Sequence, residues 1–237
     1  MIRIILLLNL MFPALFVFTE SEVENIFSND NKNQLFMNVE VALAEAQSEL
    51  GIIPDWAAEE FRQKAEIKYL EHKEVVKENS KVRHGLVARL NVWKRSLNNE
   101  ASEFLHYGAT TVDIMDTVLV LQIDNSLDYL IKDLLEVEAH LLKLTNEHLN
   151  TYMAGRTLGQ HALPITFGKK TGTWLAENRR NIERLEHVRS KVQRSGILKG
   201  AVGSYLGLGK QAIETEAIMM KKLGLAEPPK DDWHGIR

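Results

Sequence analysis

From Asn29 onward the apolar positions recur every three or four residues. Leu35, Val39, Ala42, Leu43, Ala46 and Leu50 share one stripe, and Gly51 follows where a helix C-terminal glycine belongs. Pro54 opens a second pattern, Trp56 to about Asn79, in which Phe61, Ala65, Tyr69 and Leu70 stand among charges; it predicts a helix with one buried and one wet face. After a loop around His106 to Thr111, the stretch from Asp113 to about Tyr152 holds neither glycine nor proline, and Leu127, Leu130, Leu134, Leu135, Leu141 and Leu142 lie along one side. About 38 helical residues would span about 57 Å at 1.5 Å each, much longer than the usual globular helix. A further long pattern follows Pro164, with Leu175, Ile182, Leu185, Val188 and Val192 on one stripe ending at Gly196, and a last one runs from Gln211 through Ile213, Ala217 and Met220 to Gly224. No stretch alternates with period two for long enough to predict a strand.

The expected fold is therefore all-α: a small N-terminal helical domain over residues 20–107, then over 108–237 the first long helices of a central bundle that oligomerises. Two helices of such length cannot enclose each other's apolar faces, so further helices must come from downstream sequence or from other subunits. The chain stops at Trp233 to Arg237, just after a Pro-Pro turn, as a fragment or a heavily oligomerising protein would.

Composition narrows the function. Of 237 residues 45% are apolar and 26% charged, which suits a globular core. The 29 Lys plus Arg against 32 Asp plus Glu leave a net charge of −3, which argues against a nucleic-acid partner. With no cysteine, disulfides, thiolate metal sites and a cysteine nucleophile are all excluded. No metal-ligand spacing is present, and no cofactor is expected.

Residues 1–19 stand apart. Ile4 to Phe18 are apolar except for Asn9, with Arg3 before them and Glu20, Glu22 and Glu24 after, like the first two regions of a signal peptide. The run falls short of the ~20 residues needed to span a bilayer, and no small-x-small cleavage site follows. A cytoplasmic protein with an unusual start is the expectation, with no membrane partner; an anchored or exported form is the alternative.

Three polar clusters sit at helix ends. In His106-Tyr107-Gly108-Ala109-Thr110-Thr111-Val112-Asp113 two hydroxyls meet the positive end of the longest helix, which favours a carboxylate or phosphate. The same residues also read as a capping box, Thr110-x-x-Asp113, which needs no ligand. Gly155-Arg156-Thr157-Leu158-Gly159-Gln160-His161 packs a cation, a hydroxyl, an amide and an imidazole between glycines in the turn between the two long helices. Arg83-His84-Gly85 is the third. The run from Gly200 to Lys210 lacks the ending of a phosphate loop and reads as an interhelix connection. Arg179, Arg180, Arg184, Arg189 and Lys191 alternate with Glu177, Glu183 and Glu186, as on a solvated helix side.

Taken together, GATTVDIMDT, GRTLGQHALPITFGKK, WLAENRRNIERL and LKGAVGSYLGLG, in that order and spacing, resemble the fumarase/aspartase superfamily. Within it they look like the branch of adenylosuccinate lyase and 3-carboxy-cis,cis-muconate cycloisomerase. The resemblance runs from about Glu22, including IFSNDNKNQLFMNVEVALAEAQSELGIIP, to the end. It implies a homotetramer with a shared helical bundle and active sites built from several subunits, acting on a small dicarboxylate or succinyl-nucleotide. By the family pattern Thr110 and Thr111 would bind a substrate carboxylate and Asp113 would hold their loop. Thr157 would line the site, and Arg83 with His84 would contact substrate phosphate. The implied reaction removes a proton beside a carboxylate and breaks a carbon-nitrogen bond to release fumarate, as in purine nucleotide biosynthesis.

Two positions depart from the pattern. Leu158 stands where adenylosuccinate lyases carry a histidine, the usual general acid; muconate cycloisomerases also lack histidine there. The Gly-Ser-Ser loop that carries the superfamily's serine base would lie beyond residue 237, so no catalytic residue is assigned and the isolated chain is expected to be inactive. Beside the lyase reading stand a cycloisomerase and a non-catalytic helical remnant or partner subunit.

Overall fold

The computed structural model describes residues 19–229. The apolar run Ile4–Phe18 and the tail from Lys230 lie outside the described residues. The element order is α1 (Thr19–Ile26), α2 (Asn29–Glu49), α3 (Asp55–Gln63), a 3-10 turn (Ile67–Tyr69), α4 (His72–Val82), α5 (Gly85–Lys94), α6 (Asn99–Ser102), α7 (Thr111–Glu147), β1 (Tyr152–Thr157), β2 (Gln160–Thr166), α8 (Phe167–Val192) and α9 (Ala212–Lys222). The fold is helical, as its apolar periodicity requires.

The described residues form two compact units: 19–125 together with 192–229, and Ser126–Lys191. In the first, α2 is the central element. Ser28 caps it by accepting a hydrogen bond from the Asn31 amide, and at its far end Gly51, at φ 69°, lets the Ile52 amide turn back to the Gln47 carbonyl. Phe36, Phe61 and Trp93 meet edge-on or tilted in the core, with Leu43, Leu70, Ile114, Met219 and Met220 fully buried around them.

The helix expected from Trp56 to Asn79 is broken. Between Gln63 and His72 the chain leaves the α conformation, and distant side chains take up the freed carbonyls. Trp93 Nε1 donates to Lys64 O (2.8 Å), Gln34 Nε2 to Ala65 O (2.8 Å) and Asn33 Nδ2 to Leu70 O (3.1 Å). Helix α1 likewise begins before Asn29, where the apolar stripe starts.

In the second unit the ends of the long helices are joined by a hairpin rather than a simple turn. β1 and β2 pair antiparallel from Tyr152↔Thr166 to Thr157↔Gln160, and Leu158 (φ 49°) and Gly159 (φ 78°) make the two-residue turn with positive φ that a tight hairpin requires. The register slips between Ala154 and Arg156, where a Cβ on Gly155 would stand 2.5 Å from the Leu163 carbonyl oxygen. With six and seven residues and a break in register, neither strand sustains an alternation that the sequence pattern could register. Helix α8 starts at Phe167, past Pro164. Gly168 lies against the Thr145 and His148 carbonyls, and Asn178 Nδ2 donates to Leu134 O (2.8 Å). No helix among the described residues is long and apolar enough to cross a membrane.

Candidate functional site

The site grows from one face of α2. Asn33, Glu40 and Gln47 are spaced by seven residues, so they share a helical stripe, and all three are buried. Each reaches a distant segment. Asn33 accepts from Arg89 Nε (2.9 Å), Glu40 Oε1 lies 2.8 Å from His106 Nδ1, and Gln47 Nε2 donates to Tyr107 O (2.8 Å). Two rungs of this polar ladder therefore grip successive residues of the loop before α7.

That loop is tightly constrained. His106 has φ 63° and Gly108 φ 75°, and a Cβ on Gly108 would stand 2.9 Å from Leu208 Cδ2 and 3.0 Å from the Gly207 carbonyl oxygen. At its end, buried Asp113 accepts three backbone hydrogen bonds: Thr110 N–H on Oδ2 (3.0 Å), Lys199 N–H on Oδ1 (2.8 Å) and Gly200 N–H on Oδ2 (3.0 Å). Only the carboxylate half of the capping box is made. Among the described residues the Thr110 and Thr111 hydroxyls form no hydrogen bond, so both stay available at the N-terminus of a 37-residue helix.

Behind the loop lies a buried network that the sequence pattern did not single out. Lys199 Nζ donates to Tyr205 Oη (2.8 Å) and to the Glu216 carboxylate (3.2 and 3.3 Å), Tyr205 Oη donates to Glu216 Oε2 (2.7 Å), and the Leu198 amide to Glu216 Oε1 (2.7 Å). Burial works against the Lys199 ammonium, but the bond to Tyr205 and the charge of Glu216 outweigh it and hold its pKa above the ordinary lysine value. Burial raises the Tyr205 phenol as well. The sequence signal was Lys199 standing just before a glycine run, which reads locally as an exposed connection. His106 is pulled toward its neutral form by burial, yet the bond to Glu40, the charges of Glu40 and Asp113 together outweigh that and the repulsion of Lys94, leaving its pKa above the ordinary histidine value.

The remaining sequence candidates lie elsewhere. Arg83 is the left-handed C-cap residue of α4 (φ 52°), its amide donating to Asn79 O (2.8 Å). His84 is the N-cap of α5, its Nδ1 accepting from the Val87 amide (3.3 Å); both residues are exposed. Thr157 belongs to the other unit, exposed beside the hairpin turn, and Leu158 at that turn is fully solvated. The structure thus joins Thr110, Thr111 and Asp113 with His106, Glu40 and Lys199. Among the described residues no group of three or more His, Asp or Glu is arranged to hold a metal ion.

A long helix entered through a carboxylate-stapled Gly-Ala-Thr-Thr loop, and a hairpin between two long helices, mark out a helical family. Residues 13–234 match the family described as lyase, and the chain belongs to that family, within the fumarase/aspartase superfamily its motifs resemble. Among curated relatives, the N-acetyl-S-(2-succino)cysteine lyase of Dickeya dadantii is 35% identical over 93% of this chain and 48% of its own length. The adenylosuccinate lyase of Methanocaldococcus jannaschii is 36% identical over 86% of this chain and 44% of its own. Among solved structures, the 3-carboxy-cis,cis-muconate lactonizing enzyme from Pseudomonas putida superposes with a TM-score of 0.85 at 28% identity, covering 95% of this chain and 51% of that one. The chain spans about half the length of the curated relatives it matches.

Proposed function

We propose that this chain carries the carboxylate-binding part of a lyase of the adenylosuccinate lyase type. The reaction removes the proton beside a carboxylate, turns the C–H electron pair into the carbon-carbon double bond of fumarate, and expels nitrogen, which takes up a proton. In it the Thr110 and Thr111 hydroxyls donate to a substrate carboxylate at the start of α7, where the helix dipole favours negative charge. Asp113 keeps those hydroxyls in place; Arg83 and His84 as contacts to substrate phosphate and Thr157 as a lining residue rest on the family pattern alone. The observation that carries this reading is Asp113 accepting three backbone amides, two of them buried, which fixes the loop while leaving both threonine hydroxyls unengaged. The two relatives' names share a succinyl group borne on a heteroatom, which supports a succinyl-bearing substrate. Leu158, which cannot transfer a proton, favours a second reading, a cycloisomerase of the 3-carboxymuconate type.

The partners in this reading are a small dicarboxylate or succinyl-nucleotide and further copies of the chain in a tetramer, in a cytoplasmic setting that suits the lack of cysteine. These 237 residues contain no Gly-Ser-Ser run. By themselves they are expected to bind a dicarboxylate without turnover, because each missing proton-transfer group costs roughly 10²- to 10⁴-fold. Calorimetric titration with succinate tests this: weak binding by the parent and loss of binding in the Thr110→Ala, Thr111→Ala double variant are expected. Equal binding by both would reduce the cluster to a helix cap. Fumarate release from adenylosuccinate at an ordinary enzyme rate would overturn the expectation of no turnover.

A further inference from the structure

Glu40 is the feature the proposed chemistry leaves unused. It sits in the middle of α2 with a fully buried side chain; Oε1 meets His106 Nδ1 at 2.8 Å, and Oε2 has no hydrogen-bond partner. A buried carboxylate with one oxygen unsatisfied is costly unless the other faces a cation. Its partner sits in a left-handed backbone conformation, φ 63°, that residues other than glycine rarely adopt. His106 holds that conformation at the first residue of the loop that ends at Thr110 and Thr111.

Resting on the carboxylate-site reading, we propose that Glu40 and His106 form a proton-dependent latch for this loop: protonated His106 pairs with Glu40 and steadies the stretch from His106 to Ala109 behind Thr110 and Thr111, and the neutral imidazole loosens that stretch. The groups facing His106 are Glu40 from α2, Asp113 from α7 and Lys94 from the end of α5. The two carboxylates favour the cation and the lysine opposes it. Loss of the proton leaves the hydrogen bond possible but removes the charge that compensates buried Glu40. Because the folded-state pKa of His106 is raised, the latch is complete below the ordinary histidine value of 6.5 and is lost as pH rises through the raised value. The other anchors, Gln47 on the Tyr107 carbonyl and Asp113 on the Thr110 amide, do not require that proton, so release is local. Glu40 is thus a positioning residue, acting on the hydroxyls through His106.

The test uses the full chain and needs no ligand for its first arm. Exchange of the histidine C2 proton, followed peptide by peptide by mass spectrometry, gives the His106 midpoint in an assembly of any size. Amide exchange in the peptide spanning 106–110, corrected for intrinsic pH dependence, gives loop opening. Expected are a midpoint above 6.5 in the parent, a midpoint below it in Glu40→Gln, and loop opening that rises about tenfold for each pH unit between 6.5 and the raised midpoint. A parent midpoint at or below 6.5, or loop exchange with no excess pH dependence, overturns the latch even where Glu40→Gln fails to fold. An unchanged midpoint in a folded Glu40→Gln variant overturns the role of Glu40. Succinate titrated at pH values on either side of the midpoint separates the two readings: affinity that falls with loop opening supports both, whereas a latch that titrates while succinate binds at neither pH overturns the carboxylate site and leaves the latch standing.

Discussion

At the scale of single residues, Asp113 is the position on which the loop depends. Its carboxylate is the acceptor for the amides of Thr110, Lys199 and Gly200, the last two more than eighty positions away. Truncation to Asp113→Ala leaves two buried donors, the Lys199 and Gly200 amides, without a partner, at about 1–3 kcal/mol each, and frees the half-buried Thr110 amide. A loss of at least about 2 kcal/mol in urea unfolding is therefore expected, and a loss below about 1 kcal/mol would contradict the staple. The link from Asp113 to Thr110 was legible in the sequence, because a threonine three residues before an aspartate at a helix start is a local signal. The links to Lys199 and Gly200 were not, since nothing local distinguishes an aspartate that caps its own helix from one that also holds a remote segment. Glu40 had a visible signature in Asn33, Glu40 and Gln47 at seven-residue spacing on a face otherwise apolar, but that stripe gains meaning only once its partners are known.

At the scale of elements, the helices with strong apolar stripes form where periodicity puts them, and the differences fall where distant groups outweigh local preference. No glycine or proline marks the break after Gln63; it exists because Trp93, Gln34 and Asn33 take the carbonyls of Lys64, Ala65 and Leu70. The hairpin is similarly hidden, short and interrupted by the bulge at Gly155. Helix pairing in the second unit rests on a close approach at Gly168, where a Cβ would stand 2.7 Å from the Thr145 carbonyl oxygen, while at Gly172 the nearest atom is the Thr145 methyl at 3.5 Å, an ordinary van der Waals distance. The two glycines should therefore respond oppositely to the same change. Gly168→Ala pushes against backbone that cannot yield and is expected to destabilise by about 1–3 kcal/mol. Gly172→Ala gains helix propensity and is expected to be neutral or stabilising by up to about 1 kcal/mol. Thermal unfolding of both variants checks the pair, and equal effects would contradict the close approach.

At the scale of the whole molecule, the second unit leaves Leu130, Leu135, Leu142 and Val188 exposed on its two long helices and Leu149 exposed in the turn that follows the first, with Leu127 and Ile182 buried. Apolar surface of this extent drives association. Sedimentation at micromolar concentration is expected to give a mass above the 27.0 kDa of one chain, and Leu135→Glu with Leu142→Glu is expected to lower it; a well-folded monomer of the parent would contradict this. The expectation of partners comes from the length of the leucine stripes alone, whereas the sequence offers no local sign of which surfaces would meet. The most direct test of the carboxylate site is amide exchange of the full chain with and without fumarate. Protection should rise in peptides covering 106–113 and 199–200, the two segments joined through Asp113, and this gain should vanish in the Thr110→Ala, Thr111→Ala variant. Fumarate protection absent from both segments, or undiminished in that variant, would mean that the loop before the long helix is a structural cap and binds no carboxylate.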